Sequence, residues 1–192
     1  MRARLGIGRD APVLLFAGRL ERQKGVYELM EALPEIVEAV PDVCVVLAGE
    51  GDRLGVRRIA ARAGLSARVC TPGFVAGDEL AAYYAMADAC VFPSRFEPFG
   101  LVATESMALG RPTILGAGFS RIFTGDDPGR PAVRRIGGTG PDAIAAAVID
   151  VLTDPAVRRE LGERGERLVR ERLSWERAAA ATSRVYRTAV GA

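Results

Sequence analysis

Short, almost unbroken apolar runs alternate along this chain with longer stretches in which apolar positions recur every three or four residues. The runs at residues 13–17, 43–48, 69–71, 89–92 and 113–115 read as strands. The first, second and fourth are nearly continuous, as expected of strands covered by helices on both faces. Between the runs, residues 25–40, 53–63, 78–86 and 99–109 carry helical spacing, and the first of these stretches stops at Pro41. Such regular β-α alternation predicts an α/β domain built on a doubly wound parallel sheet. Beyond Leu115 the pattern loosens. Residues 116–140 are rich in Gly, Pro, Asp and Arg, with one short strand expected at 132–136. A loop of that length within a compact domain points to function or mobility. Helices then dominate, at 141–152, 155–172 and 175–190, with Pro141 and Pro155 in first-turn positions where proline is tolerated. On the last helix Trp175, Ala178, Ala179, Thr182, Val185, Tyr186 and Ala189 form an amphipathic stripe that needs a partner.

Composition narrows the function classes. With 192 residues, the chain is one domain's worth. A net charge of +2 leaves no general footprint for nucleic acid or an anionic membrane. No apolar stretch approaches a membrane span, and the start of the chain lacks the apolar core of a signal peptide, so a cytoplasmic location is expected. Cys44, Cys70 and Cys90 fall inside or at the end of expected strands and read as small buried core residues rather than zinc ligands or a disulfide. There is no histidine, which excludes a Ser-His-Asp triad, a histidine base and a histidine metal site. Residues 155–192 hold nine arginines, five glutamates and no aspartate, a pattern usual for solvated, salt-bridged helix faces.

Of 26 basic residues, Lys24 is the single lysine. In a background that uses arginine for generic positive charge, a retained lysine suggests a place for a compact ammonium. Lys24 lies in Gly18-Arg19-Leu20-Glu21-Arg22-Gln23-Lys24-Gly25, directly after the first strand. A strand, a glycine turn and two cations before a helix make a phosphate cradle. The competing reading is a solvated first-turn residue.

Special turns follow the other strands as well: Gly49-Glu50-Gly51, Pro72-Gly73, and the segment from Pro93 to Gly100. Ligands of open α/β sheets bind beyond the carboxyl ends of the strands, where strand order reverses. With the usual order, strands one and four are neighbours there, so the Arg19/Lys24 loop should face the Glu97–Gly100 loop. Two cations and a helix N-terminus would converge on one crevice, which describes a diphosphate site. Glu97 and Glu105 form a second constellation across a loop-helix junction, and helical side chains lean toward the N-terminus, so Glu105 can reach the helix mouth. Carboxylates repel phosphate but accept hydrogen bonds from hydroxyls, so one acid suits a ribose and the other a sugar. Glu105 as a plain exposed helix residue stands beside that reading. A Ser94-x-x-Glu97 capping box conflicts with Pro98 at the fourth helical position. Few further acids cluster nearby, so no metal is expected. Lys24-Gly25 reverses the Walker order, and the first strand is not followed by Gly-x-Gly-x-x-Gly.

Gly18-Arg19-Leu20…Lys24-Gly25, Leu47-Ala48-Gly49-Glu50-Gly51, Glu97-Pro98-Phe99-Gly100-Leu101-Val102-Ala103-Thr104-Glu105, Ala108-Leu109-Gly110-Arg111-Pro112 and Ser174-Trp175-Glu176 occur in that order. From about Leu5 to Tyr186 the chain resembles the C-terminal half of group-1 (family 4) retaining glycosyltransferases, relatives of bacterial glycogen synthase. The resemblance implies a GT-B enzyme, two Rossmann-like domains around a cleft, in which residues 1–192 form the half that binds the nucleotide-sugar donor. It implies diphosphate contacts from Arg19 and Lys24, Glu97 as the catalytic residue at the donor sugar, and Glu105 at the ribose hydroxyls. The backbone of Phe99, Gly100 and Leu101 would meet phosphate and sugar, and residues 69–73 would border the base. It implies transfer with retention at the anomeric carbon, without a cofactor or an essential metal, in carbohydrate biosynthesis. The leaving diphosphate would deprotonate the acceptor on the same face. Residues 173–192 would cross back as a helix onto an N-terminal acceptor domain that this chain lacks, so the chain alone is expected to be inactive. The segment from Gly116 to Ile122, and the following 125–131, depart from the family pattern Gly-Gly-x-Pro-Glu and its sequel, which leaves the sugar open. Two other classes compete: a non-catalytic nucleotide-sugar-binding subunit with a separate partner, and one half of a sugar-nucleotide epimerase, which would not be expected to keep the Glu-x₇-Glu segment.

Overall fold

A computed structural model of the chain describes residues 1–191. Alternating side-chain direction divides each apolar run between two faces. On β1 (Val13–Ala17), Leu14 and Phe16 enter one hydrophobic cluster, and Val13, Leu15 and Ala17 enter the other. On β2 (Cys44–Ala48), Val45 and Leu47 oppose Cys44, Val46 and Ala48. Every one of these residues is buried, which explains why neither run alternates with polar positions. β3 (Val69–Gly73), β4 (Ala89–Phe92), β5 (Thr113–Leu115) and β6 (Arg134–Arg135) complete a parallel sheet of order β3-β2-β1-β4-β5-β6. This is the expected doubly wound, Rossmann-like α/β architecture.

Helices α1 (Val26–Ala39), α2 (Arg53–Arg62) and α5 (Pro141–Thr153) cover the face of Leu14 and Phe16. Helices α3 (Gly77–Met86) and α4 (Leu101–Ala108) cover the opposite face. Helix α6 (Pro155–Arg172) contributes to both clusters, Leu161 to the first and Leu168 and Val169 to the second. The cysteines remain free thiols. Cys44 and Cys90 are buried as expected, whereas Cys70 on the edge strand β3 is only partly buried, with its Sγ 3.8 Å from that of Cys44.

Three element boundaries differ from the sequence pattern for local reasons. The helix expected from residue 99 starts at Leu101, because Gly100 takes a left-handed conformation at its N-cap, φ 98°. The helix expected from residue 25 starts at Val26, after a 3₁₀ turn (Arg22–Lys24) closed by Gly25 at φ 71°. The strand expected at 132–136 shrinks to two residues whose side chains diverge: Arg134 pairs with Asp150 on α5, and Arg135 donates to the Phe119 carbonyl at 2.8 Å.

Helix α7 (Trp175–Ala189) is capped by the Ser174 hydroxyl, which accepts from the Arg177 N–H, yet none of its residues is buried. Trp175 is 80% exposed, and Val185 and Tyr186 are also exposed. Among the described residues no helix is long and apolar enough to cross a membrane.

Two outcomes test this picture. A Cβ on Gly25 would press into the Pro93 backbone, whereas one on Gly64, at the same φ of 71°, would meet no atom within 4 Å. Gly64→Ala should therefore cost only the left-handed penalty, about 1–2 kcal/mol. Gly25→Ala should cost clearly more, lowering the melting midpoint by a further 2–4 °C or so per additional kcal/mol; equal losses would mean the two loops are not in contact. In hydrogen exchange, residues 176–190 should lose protection by local opening well before β1 and β2. Equal protection would mean that α7 docks on its own domain.

Candidate functional site

Strand order reverses between β1 and β4, so the loops leaving their carboxyl ends flank the topological switch point. Backbone contacts fix the two loops together. Gly25 backs onto Pro93, and the Arg95 N–H donates to the Gln23 carbonyl at 3.0 Å. The Arg95 guanidinium also reaches the buried Glu28 of α1 at 2.7 Å. On its other side the β1 loop is tied to the β2 loop, where the Gly18 N–H donates to the Ala48 carbonyl at 2.9 Å and the Leu20 N–H to the Glu50 carbonyl at 2.6 Å.

Within this frame Lys24 Nζ lies 2.7 Å from Glu97 Oε2, with side chains only 19% and 13% exposed. Sequence reasoning gives the two residues separate ligand contacts, whereas here they form a direct ion pair across the switch point. Salt screens a pair this shielded far less than a surface pair, and loss of either member leaves the other charge poorly solvated. The ammonium has three N–H donors, of which Glu97 takes one.

Beside the pair opens a cleft of about 620 Å³ whose lining includes Arg19, Glu21, Glu50, Phe74, Val102 and Glu105. Arg19 and Glu105 therefore share one cleft as expected. Lys24, in the turn after β1, and Glu97 with residues 99–101, at the β4–α4 junction, do not line it. Arg19 is exposed, its Nη2 3.0 Å from Glu21 Oε1. Glu105 Oε2 accepts from the Tyr84 hydroxyl at 2.9 Å. Burial pushes the Tyr84 phenol well above its ordinary pKa and the Glu105 carboxylate reinforces the shift, so the phenol stays a donor. Residues 69–73, expected at the base, give way in the lining to Phe74 and Val75, which follow them.

At the mouth of α4, Gly100 is packed against Phe119, while Phe99 and Leu101 are exposed. No side chain caps this helix; the Ala103 N–H is taken by the Gly100 carbonyl at 3.0 Å, which leaves the Leu101 and Val102 N–H groups at the positive end of the helix dipole. Tyr84 and Phe74 are neighbours of the candidate site that the sequence pattern does not reveal. The Tyr84 phenol, once buried, requires a partner, but that partner is identified only when α3 and α4 are packed side by side.

Residues 1–168 match the family model described as Glycosyl transferases group 1. Glycogen synthase of Mycobacterium tuberculosis is 36% identical over 181 residues, which are 90% of this chain and 42% of that protein. Sucrose-phosphate synthase from Thermosynechococcus elongatus superposes with a TM-score of 0.83 at 34% identity, over 99% of this chain and 48% of that one. The C-terminal domain of a glycosyl transferase group 1 family protein, LpcC from Francisella tularensis, superposes with a TM-score of 0.76 at 26% identity, over 85% of this chain and 87% of that one. The chain thus spans about half the length of the curated relatives it matches.

Tyr84 gives a pH test. A phenol whose folded pKa is raised contributes stability that is fully present below its unfolded pKa, about 10, and is lost as pH rises above it. Wild type should therefore lose stability more steeply than Tyr84→Phe from about pH 9.5 upward, approaching 1.4 kcal/mol per pH unit. Parallel stability curves for the two proteins in urea titrations across that range would show that Tyr84 is not shielded.

Proposed function

The chain belongs to the group 1 glycosyl transferases, and we propose that it supplies the donor-binding half of such an enzyme. In this reading it holds a nucleoside-diphosphate sugar for transfer to an acceptor with retention at the anomeric carbon. The observation that carries the reading is the shielded Lys24–Glu97 pair at the mouth of α4, beside the cleft shared by Arg19 and Glu105. The two remaining Lys24 donors, the Arg19 guanidinium and the first-turn amides of α4 take the diphosphate. Glu97, held against Lys24, faces the sugar next to that phosphate. Glu105 is oriented by Tyr84 and takes the ribose hydroxyls, while Phe74 and Val75 give the base an apolar wall.

In the reaction these groups stabilise charge that grows on the departing diphosphate. The leaving phosphate oxygen takes the acceptor proton on the same face, which suits a chain without histidine. Neither a cofactor nor a metal enters this scheme. The acceptor is held by another domain, against which the exposed stripe of α7 packs. Without it, the gain from holding two substrates together, up to about 7–11 kcal/mol of barrier, is lost, and the open cleft weakens electrostatic stabilisation. The chain alone should bind donor and transfer nothing.

Calorimetry against UDP, GDP and ADP sugars, the free diphosphates and the nucleosides tests the assignments. Lys24→Ala and Arg19→Ala should each weaken diphosphate binding by about ten- to a hundredfold, from roughly 1.5–3 kcal/mol per charge-assisted contact, and spare nucleoside binding. Glu105→Gln should hurt ribonucleotides more than deoxyribonucleotides. Glu97→Gln, which frees Lys24 from its partner, should not weaken free diphosphate binding but should impair the sugar nucleotide. Equal weakening of nucleoside and diphosphate in Lys24→Ala, or no nucleotide affinity in the wild type, would sink the site.

A further inference from the structure

A second cavity of about 620 Å³ opens beyond β5 and β6, in the segment whose sequence departs from the family pattern. Its lining includes Ala117, Phe119, Arg121, Thr124, Gly125 and Arg135, and among the described residues no acid lines it. The neighbouring acids are engaged elsewhere: Asp126 pairs with Arg172, and Asp127 accepts from the Gly129 N–H. Arg135 spends Nη2 on the Phe119 carbonyl at 2.8 Å, while its Nη1 is buried with no partner among the described residues. Burial, and secondarily the charge of Arg121, lower the Arg135 pKa, so the two guanidiniums are close enough to repel one another. Arg121 forms no ion pair or side-chain hydrogen bond among the described residues. Two guanidiniums thus line one cavity with no lining acid among the described residues to balance them. Its wall leads to the candidate site, because the Phe119 ring packs against Gly100 at the mouth of α4.

We propose that this cavity is an anion subsite, in which Arg121 and Arg135 take the carboxylate or phosphate of an acidic sugar. The sugar part of the proposal rests on the reading that the adjoining Glu97–Leu101 loop holds one. A guanidinium offers two parallel N–H bonds to either group, and because Arg121 and Arg135 both line the cavity, donors can come from two sides.

The test is an NMR titration of the 192-residue chain, ¹⁵N-labelled and held in excess UDP so that the diphosphate cradle is occupied. Glucose 6-phosphate, glucuronate and glucose are added separately, and the arginine Nε–H signals are followed. Saturable shifts of Arg121 and Arg135 with either acidic sugar but not with glucose are expected, and which of the two acts identifies the anion. Arg121→Gln, at an exposed side chain, should weaken that binding at least about tenfold without disturbing the fold. Arg135→Lys, which keeps the charge but loses the fork, should weaken it less than Arg121→Gln. No shift beyond that produced by glucose, or an affinity unchanged in Arg121→Gln, overturns the subsite. UDP affinity of the same sample is measured by calorimetry. Normal UDP binding with no anion response refutes the subsite alone, and an anion response without UDP binding refutes only the donor reading.

Discussion

The candidate site depends on two loops, one after β1 and one after β4, being brought into contact at the point where strand order reverses. The Lys24–Glu97 ion pair spans 73 residues of sequence and can form only if both loops lie flush. The absence of a side chain at Gly25 permits that approach, since a Cβ there would enter the Pro93 backbone. The Arg95 backbone hydrogen bond to Gln23 and its ion pair to Glu28 then hold the β4 loop to both the β1 loop and α1. A lysine suits this position because an ammonium is compact enough for a closed junction and can serve several acceptors in turn. When a ligand is absent the cation is neutralised by Glu97. In the proposed donor reading, an arriving anion shares the ammonium rather than stripping it of its partner, so less desolvation opposes binding than for a bare buried charge.

The layered α/β architecture was legible because both faces of the central strands are buried, and burial on two sides leaves a continuous apolar run in sequence. The neighbouring position of strands one and four followed from the same topology and is observed. The family resemblance, carried by ordered motifs such as Glu-x₇-Glu, agrees with the family match. What the pattern could not supply were pairings set by tertiary geometry. Nothing in the spacing of Tyr84 and Glu105 marks them as partners, because they lie on different helices and meet only when α3 and α4 share a face of the sheet. Lys24 and Glu97 were each assigned chemistry, but a direct bond between them requires loop conformations governed by Gly25 and Gly100. Strand β6 was overestimated because Ala132 and Val133 are apolar and buried outside the ladder, and Ile136 only adds one bond to it, its N–H to the Leu115 carbonyl at 2.9 Å. The stripe on α7 was also legible, but a stripe states only that a partner is needed.

The charges along the crest of the sheet are unevenly distributed. The cleft carries Glu21 and Glu50 from the loops after β1 and β2 and Glu105 from α4, with Arg19 also in its lining. A phosphate placed among those carboxylates would be repelled, whereas hydroxyl-bearing groups would be accepted there. Lys24 and the open end of α4 lie at the β1–β4 junction, and beyond β5 the only charged residues lining the second cavity among those described are arginines. In the proposed donor reading, this distribution favours hydroxyls in the acid-lined cleft, phosphates between Arg19 and Lys24, and whatever follows the phosphates toward β5. Reversal would place phosphate oxygens against Glu50 and Glu105 and leave Lys24 with only Glu97. This polarity comes from residues on four separate loops, so it is a property of the assembled sheet and not of any single motif. In the proposed reading, the loop after β5, farthest from the ribose end, is the part of the chain placed to distinguish one transferred group from another.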